Sequence, residues 1–272
     1  MGKLRIASLQ PSITVTLADL GELGQLVACT KYCAELCPEV VAAGAKIIQD
    51  SWTAKADEII DAKPDLVIAS VPYQKESVAQ IMRAGIRFLG FAPHSLSDVY
   101  EDIRMIARVC GAAVRGEQVI REMEWALNEI RRATVFYPKM RVFCEEWGKP
   151  LIHSQPWVAE LVKAAGGEFV GEPGAQTTSE AVKAFDPEVI IASWCGAGDR
   201  VPIEKIVHDR GWMNTSAVKN GRVFCVSDEL LNTPATTLVG GARALAWALH
   251  PERFDRPLGI RKIDEERAQK AG

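Results

Sequence analysis

The sequence is short of several things, and each shortage removes a class of function. Neither charge dominates: 32 Lys and Arg stand against 35 Asp and Glu, a formal net charge of −3. Without a basic run, nucleic acid is not an expected partner. No apolar stretch approaches the ~20 residues that a membrane span needs. There are only four histidines, and the H-E-x-x-H, G-x-S-x-G, phosphate-loop and G-x-G-x-x-G patterns are all missing. No nucleophile, base and orienting acid come together, so the reading leans away from an enzyme. The seven cysteines are odd in number and scattered over 272 residues, which excludes a disulfide scaffold. Met1-Gly2-Lys3 leads into a strand-like segment with no apolar leader core. The expected compartment is therefore the cytoplasm, or the periplasm or cell exterior if a leader has been removed.

What is present is alternation. With 48% hydrophobic residues the chain can build a sizeable core, and short apolar runs take turns with helical patterns. Strands are expected over 4–9, 26–30, 66–70 and 86–91, and helices over 13–20, 56–62, 77–84 and 97–109. Ser12 is the expected cap of the first helix. This pattern is that of an α/β lobe with a mainly parallel sheet. Residues 112–134 carry apolar side chains at helical spacing, which predicts one helix about 35 Å long. A second series follows, with strands at 140–144, 189–193 and 221–226 and helices at 157–165, 179–184, 203–208 and 238–249. The segments ADEIIDAKPDLVIAS (56–70) and SEAVKAFDPEVIIAS (179–193) share a helix, a Pro-acid turn and an apolar strand ending in Ile-Ala-Ser. The expected organisation is an N-terminal lobe (1–110), a spanning helix (111–136), a similar C-terminal lobe (137–250) and a charged tail (251–272). A cleft between two such lobes is the default place for a ligand.

These residues carry a resemblance. The opening RIASLQPSITVTLADLG, the SWTAKADEIIDAKPDLVIAS block, the spanning helix and DPEVIIAS resemble the vitamin B12 and iron-siderophore binding proteins of ABC importers, the helical-backbone (class III) solute-binding proteins. Cys33, Glu146-Trp147, Cys195-Gly196, Asn232 and Pro234 narrow it to leaderless, cobalamin-binding-like members. The resemblance implies a two-lobed receptor for a small-molecule metal chelate, often a corrinoid such as cobalamin. It also implies an ABC permease as partner, with Glu76 and Glu204 as docking residues.

In an α/β lobe the loops after the strand C-terminal ends form the ligand crevice. That rule brings Tyr32, Trp52, Tyr73, Trp147 and Trp194 to the crevice, with Gly196 and Pro234 beside them. Flat aromatic surfaces suit a flat macrocycle. Lys31, Lys149 and Arg200 are expected in the same loops, and His153 close by. Cys33 and Cys195 each follow an expected strand of their lobe, and with Glu146 and Cys37 they form a candidate metal set. Two readings follow. The first is a non-catalytic receptor for cobalamin or another metal chelate. The second is a cytosolic metalloprotein or enzyme holding zinc or an iron–sulfur cluster through Cys33 and Cys195.

Overall fold

The computed structural model describes residues 3–49, 55–70 and 75–263. Trp52 and Tyr73 lie outside the described residues. The chain divides into two compact units, Met1–Glu122 and Met123–Gly272.

The first unit contains β1 (Ile6–Ser8), α1 (Pro11–Asp19), β2 (Leu26–Thr30), α2 (Lys31–Leu36), α3 (Glu39–Ala42), β3 (Lys46–Ile48), α4 (Ala56–Asp61), β4 (Leu66–Ser70), α5 (Lys75–Arg83), β5 (Arg87–Phe91) and α6 (Leu96–Cys110). Its sheet runs β3-β2-β1-β4-β5 with every pairing parallel. Alternate side chains go to opposite faces, as the pleat requires. Ile6, Leu66 and Ile68 pack beneath Leu17 and Ile106, whereas Ala7, Val67 and Ala69 pack against Ile59 and Ile81. Both faces of β4 are thus covered, which is why its sequence is apolar without interruption.

α7 (Ala113–Thr134) carries the chain from one unit into the next. Arg131 and Arg132 occupy its last turn, where the helix dipole favours positive charge.

The second unit contains β6 (Met140–Gly148), β7 (Leu151–His153), α8 (Pro156–Ala164), β8 (Gly167–Phe169), α9 (Ser179–Phe185), β9 (Val189–Ala192), α10 (Ile203–Asp209), α11 (Ser216–Lys219), β10 (Val223–Val226), α12 (Asp228–Leu231), α13 (Leu238–Leu249) and β11 (Ile260–Lys262). The sheet order is β11-β10-β9-β6-β7, with β8 also paired to β6. β6, β8, β9 and β10 are parallel; β7 and β11 are antiparallel additions. The fold is therefore α/β, with two mainly parallel sheets on a helical backbone.

The shared Pro-acid turns have a common anchor. Lys63 and Asp186, each just before a proline, are the non-glycine residues with left-handed backbone among those described, at φ 50° and 43°. Arg5, ahead of β1, donates to the carbonyls of Lys63 and Ala62 at 2.8 Å each. Arg141, near the start of β6, donates to the Asp186 carbonyl at 2.9 Å and the Phe185 carbonyl at 3.3 Å. The acid that follows the proline completes each knot. Asp65 accepts from the Arg5 amide at 2.9 Å, and Glu188 from the Arg141 amide at 3.0 Å. A guanidinium fork can serve two carbonyls at once, so one device holds the strand entry of both sheets.

Four local expectations change. The first helix begins at Pro11 with Gln10 as its cap and no capping side chain; a proline at the first helical position is already set for the turn. The stretch after β2 is helical rather than a loop, because the Thr30 side chain accepts from the Cys33 amide and starts α2. β6 runs on to Gly148, since β7 pairs with its second half. Within the segment read as a tail, Ile260–Lys262 pairs with β10.

Candidate functional site

The C-terminal ends of β6, β9 and β10 bring together a group of side chains from distant parts of the second unit. Glu145, fully buried, accepts a two-pronged ion pair from Arg210 at 2.5 and 2.8 Å. It also accepts the Trp194 indole N–H at 2.8 Å. Burial pushes the Glu145 carboxyl up, and Arg210 and Trp194 oppose that shift. The Arg210 guanidinium stacks over Trp212 at 4.9 Å and donates to the Gly148 carbonyl at 3.3 Å.

The neighbouring Glu146 accepts from the Gln155 amide at 2.7 Å and from the Cys195 thiol at 3.6 Å. Burial raises its carboxyl above the ordinary range, only partly offset by those two donors. The Cys195 thiol is likewise pushed up, first by burial and then by the Glu146 and Asp228 charges. Cys195 is the one exposed residue among the seven free cysteines, but its sulfur is enclosed between Glu146 and Asn232. Asn232 holds the same corner, donating to the Ser193 carbonyl at 2.8 Å and to the Cys195 sulfur at 3.4 Å. The following turn, with Gly196 and Gly198 at positive φ, is tied down by Asp228. That carboxylate accepts both glycine amides, at 2.7 and 2.8 Å.

The remaining expected residues are placed as follows. Trp147 is 44% exposed, and its indole N–H donates to the Lys149 carbonyl at 2.9 Å. Tyr32 is exposed at the start of α2, with the Lys31 ammonium 4.9 Å above its ring. Pro234 is half-buried in the turn before α13. Lys149 and Arg200 are exposed. His153 is instead a core residue between Phe143 and Phe169, with Nδ1 3.1 Å from the Ala175 carbonyl.

Cys33 is sealed inside the first unit, 3.1 Å from the Thr30 hydroxyl and 4.0 Å from that of Ser8. Burial opposes its ionisation, and hydrogen bonds from Cys29, Thr14 and Thr30 act in the other direction. Cys37 is buried and donates to Glu39 at 3.3 Å. Among the described residues, no three His, Cys, Asp or Glu side chains are grouped to hold a metal ion.

Sequence reasoning missed Arg210, Gln155 and Asp228. The signal for Asp228 was its place just past the end of β10; Arg210, past α10, had none.

Comparison with known proteins agrees with the fold. An uncharacterized ABC transporter substrate-binding lipoprotein of Bacillus subtilis, YvrC, is 27% identical over 265 residues, covering 92% of this chain and 81% of that relative. A periplasmic heme binding protein from Pseudomonas aeruginosa superposes with a TM-score of 0.82 at 18% identity, covering 96% of this chain and 98% of that one. The periplasmic vitamin B12 binding protein BtuF of Vibrio cholerae gives a TM-score of 0.73 at 21% identity, covering 92% and 97%. The profile of the periplasmic binding protein family matches residues 6–230. The chain belongs to that family and is a solute-binding protein of the ABC-importer type, on the helical-backbone (class III) plan.

Proposed function

We propose that the protein is a receptor for a metal chelate, with cobalamin or another corrinoid as the first candidate and heme as the nearest competitor. The observation that carries this reading is the pair of tryptophans at the strand ends of the second unit. Trp147 is exposed and Trp194 half-buried, and each has its N–H engaged by a protein acceptor. Both are left to offer ring surface, which suits a large flat ligand. The similar folds named for heme and vitamin B12 binding support a tetrapyrrole-derived chelate. In this reading Tyr32, Trp147, Trp194, Gly196 and Pro234 pack on the ligand, and Cys195 with Glu146 meets its polar or metal centre.

The zinc or iron–sulfur alternative draws no support from the described residues, since Cys33 and Cys37 are buried among their own neighbours. An ABC permease is the partner the family supplies. Of the two proposed docking residues, Glu76 is exposed and Glu204 half-buried. The naming of the Bacillus relative as a lipoprotein supports a place outside the cytoplasm rather than within it.

The test is titration of the purified full chain with cyanocobalamin and with hemin, followed by tryptophan quenching and calorimetry. One-to-one binding is expected. Trp147→Ala should weaken it about tenfold, or ~1.4 kcal/mol, with little change in Tm because the ring is exposed. Failure of both probes to bind saturably overturns the reading.

A further inference from the structure

The Trp194 ring is held more tightly than a half-exposed side chain needs for packing alone. Its N–H is fixed by Glu145 at 2.8 Å. The plane of the carboxylate is in turn fixed by the Arg210 fork, with Glu145 0% and Arg210 14% exposed. On another side the ring lies directly against Gly148. A Cβ built there would stand 2.5 Å from Cζ2 and 2.8 Å from Cη2 of the indole. Gly148 has no positive φ, so its backbone does not demand glycine; the closeness of the ring does. Arg210 also donates to the Gly148 carbonyl at 3.3 Å. A single guanidinium thereby ties together the carboxylate that orients the ring and the backbone that confines it.

We propose that Gly148, Glu145 and Arg210 form a clamp that presets the Trp194 indole as a stacking surface of the ligand site. Arg210 is then a positioning residue and Gly148 a determinant of which ligand outline fits. The proposal rests on the chelate-receptor reading. A preset ring loses little freedom on binding, and such preorganisation adds to affinity.

Three substitutions test it in the full chain: Gly148→Ala, which crowds the ring while keeping both side chains of the ion pair; Arg210→Lys, which keeps the charge but loses the fork; and Trp194→Phe. The probes are cyanocobalamin and hemin. The Trp194 signal is read as a near-ultraviolet circular dichroism difference between each background and the same background carrying Trp194→Phe. Gly148→Ala and Arg210→Lys should each weaken probe binding about tenfold and alter that difference signal. In the Gly148→Ala/Trp194→Phe double variant the two losses should not add, because the smaller ring leaves room for the methyl. Unchanged binding and an unchanged signal in Gly148→Ala overturn the clamp, as do fully additive losses. Should the wild-type chain bind neither probe, the receptor reading falls, and the difference signals alone decide the clamp.

Discussion

Two buried imidazoles set an acid limit on the fold. His153 is 2% and His250 1% exposed, and burial lowers both below the ordinary histidine value. Their folded-state affinity for protons is therefore below that of the unfolded chain, near pH 6.5. The unfolded state binds more protons as pH falls through that value, so stability is full above it and lost below it. The urea midpoint of wild type should drop between pH 7.5 and pH 5 relative to that of His153→Gln, which has one fewer imidazole to charge. Parallel curves for the two proteins would dismiss a role for His153. Elsewhere at this scale the sequence was uneven in what it disclosed. Trp194 and Cys195 come just after the apolar strand β9 and Glu146 lies near the end of β6, so a rule about strand ends reaches them. Cys33 satisfies the same rule, yet it turns inward, because Thr30 caps a helix that carries its sulfur toward Ser8.

Elements in this chain approach one another where side chains are missing. Gly241 lies within α13, and a Cβ there would collide with the Leu230 carbonyl at the end of α12. Gly241→Ala should therefore cost roughly 1–3 kcal/mol through forced separation of the two helices. Gly24→Ala, where nothing lies within 4 Å, should leave the thermal midpoint within a degree or two. Equal midpoints for both variants would show that α13 does not need that approach. The larger elements were legible because their apolar residues repeat with a clear period. α7 and α13 were anticipated to within a residue or two, and β2 and β4 at their observed ends. The short pieces were not, since α3, α11, α12, β3, β7 and β8 each have only three or four residues. So few residues give no period, and such pieces are fixed by what they pair with.

At the scale of the whole molecule, ligand binding and stability are linked. If the receptor reading holds, cyanocobalamin or hemin at about 100 times its Kd should add ~2.7 kcal/mol to the stability of the folded chain. A thermal melt should show this as a rise of several degrees. A melt that does not move at saturating probe would contradict specific binding to the folded state. The α/β architecture and the duplication were legible in two segments of like sequence. The candidate site was legible only in part, because Arg210 reaches Glu145 across 65 positions of sequence, a separation that patterning does not record. The paired arginine knots around Lys63 and Asp186 also have a consequence for redesign. Each fastens the end of its sheet where β1 and β6 begin, opposite the rim where the candidate ligand residues stand. The two turns are in effect one standard fitting installed twice. Grafting residues 185–188 in place of 62–65 should preserve the first unit, while the opposite rims remain free to be recut for a different cargo.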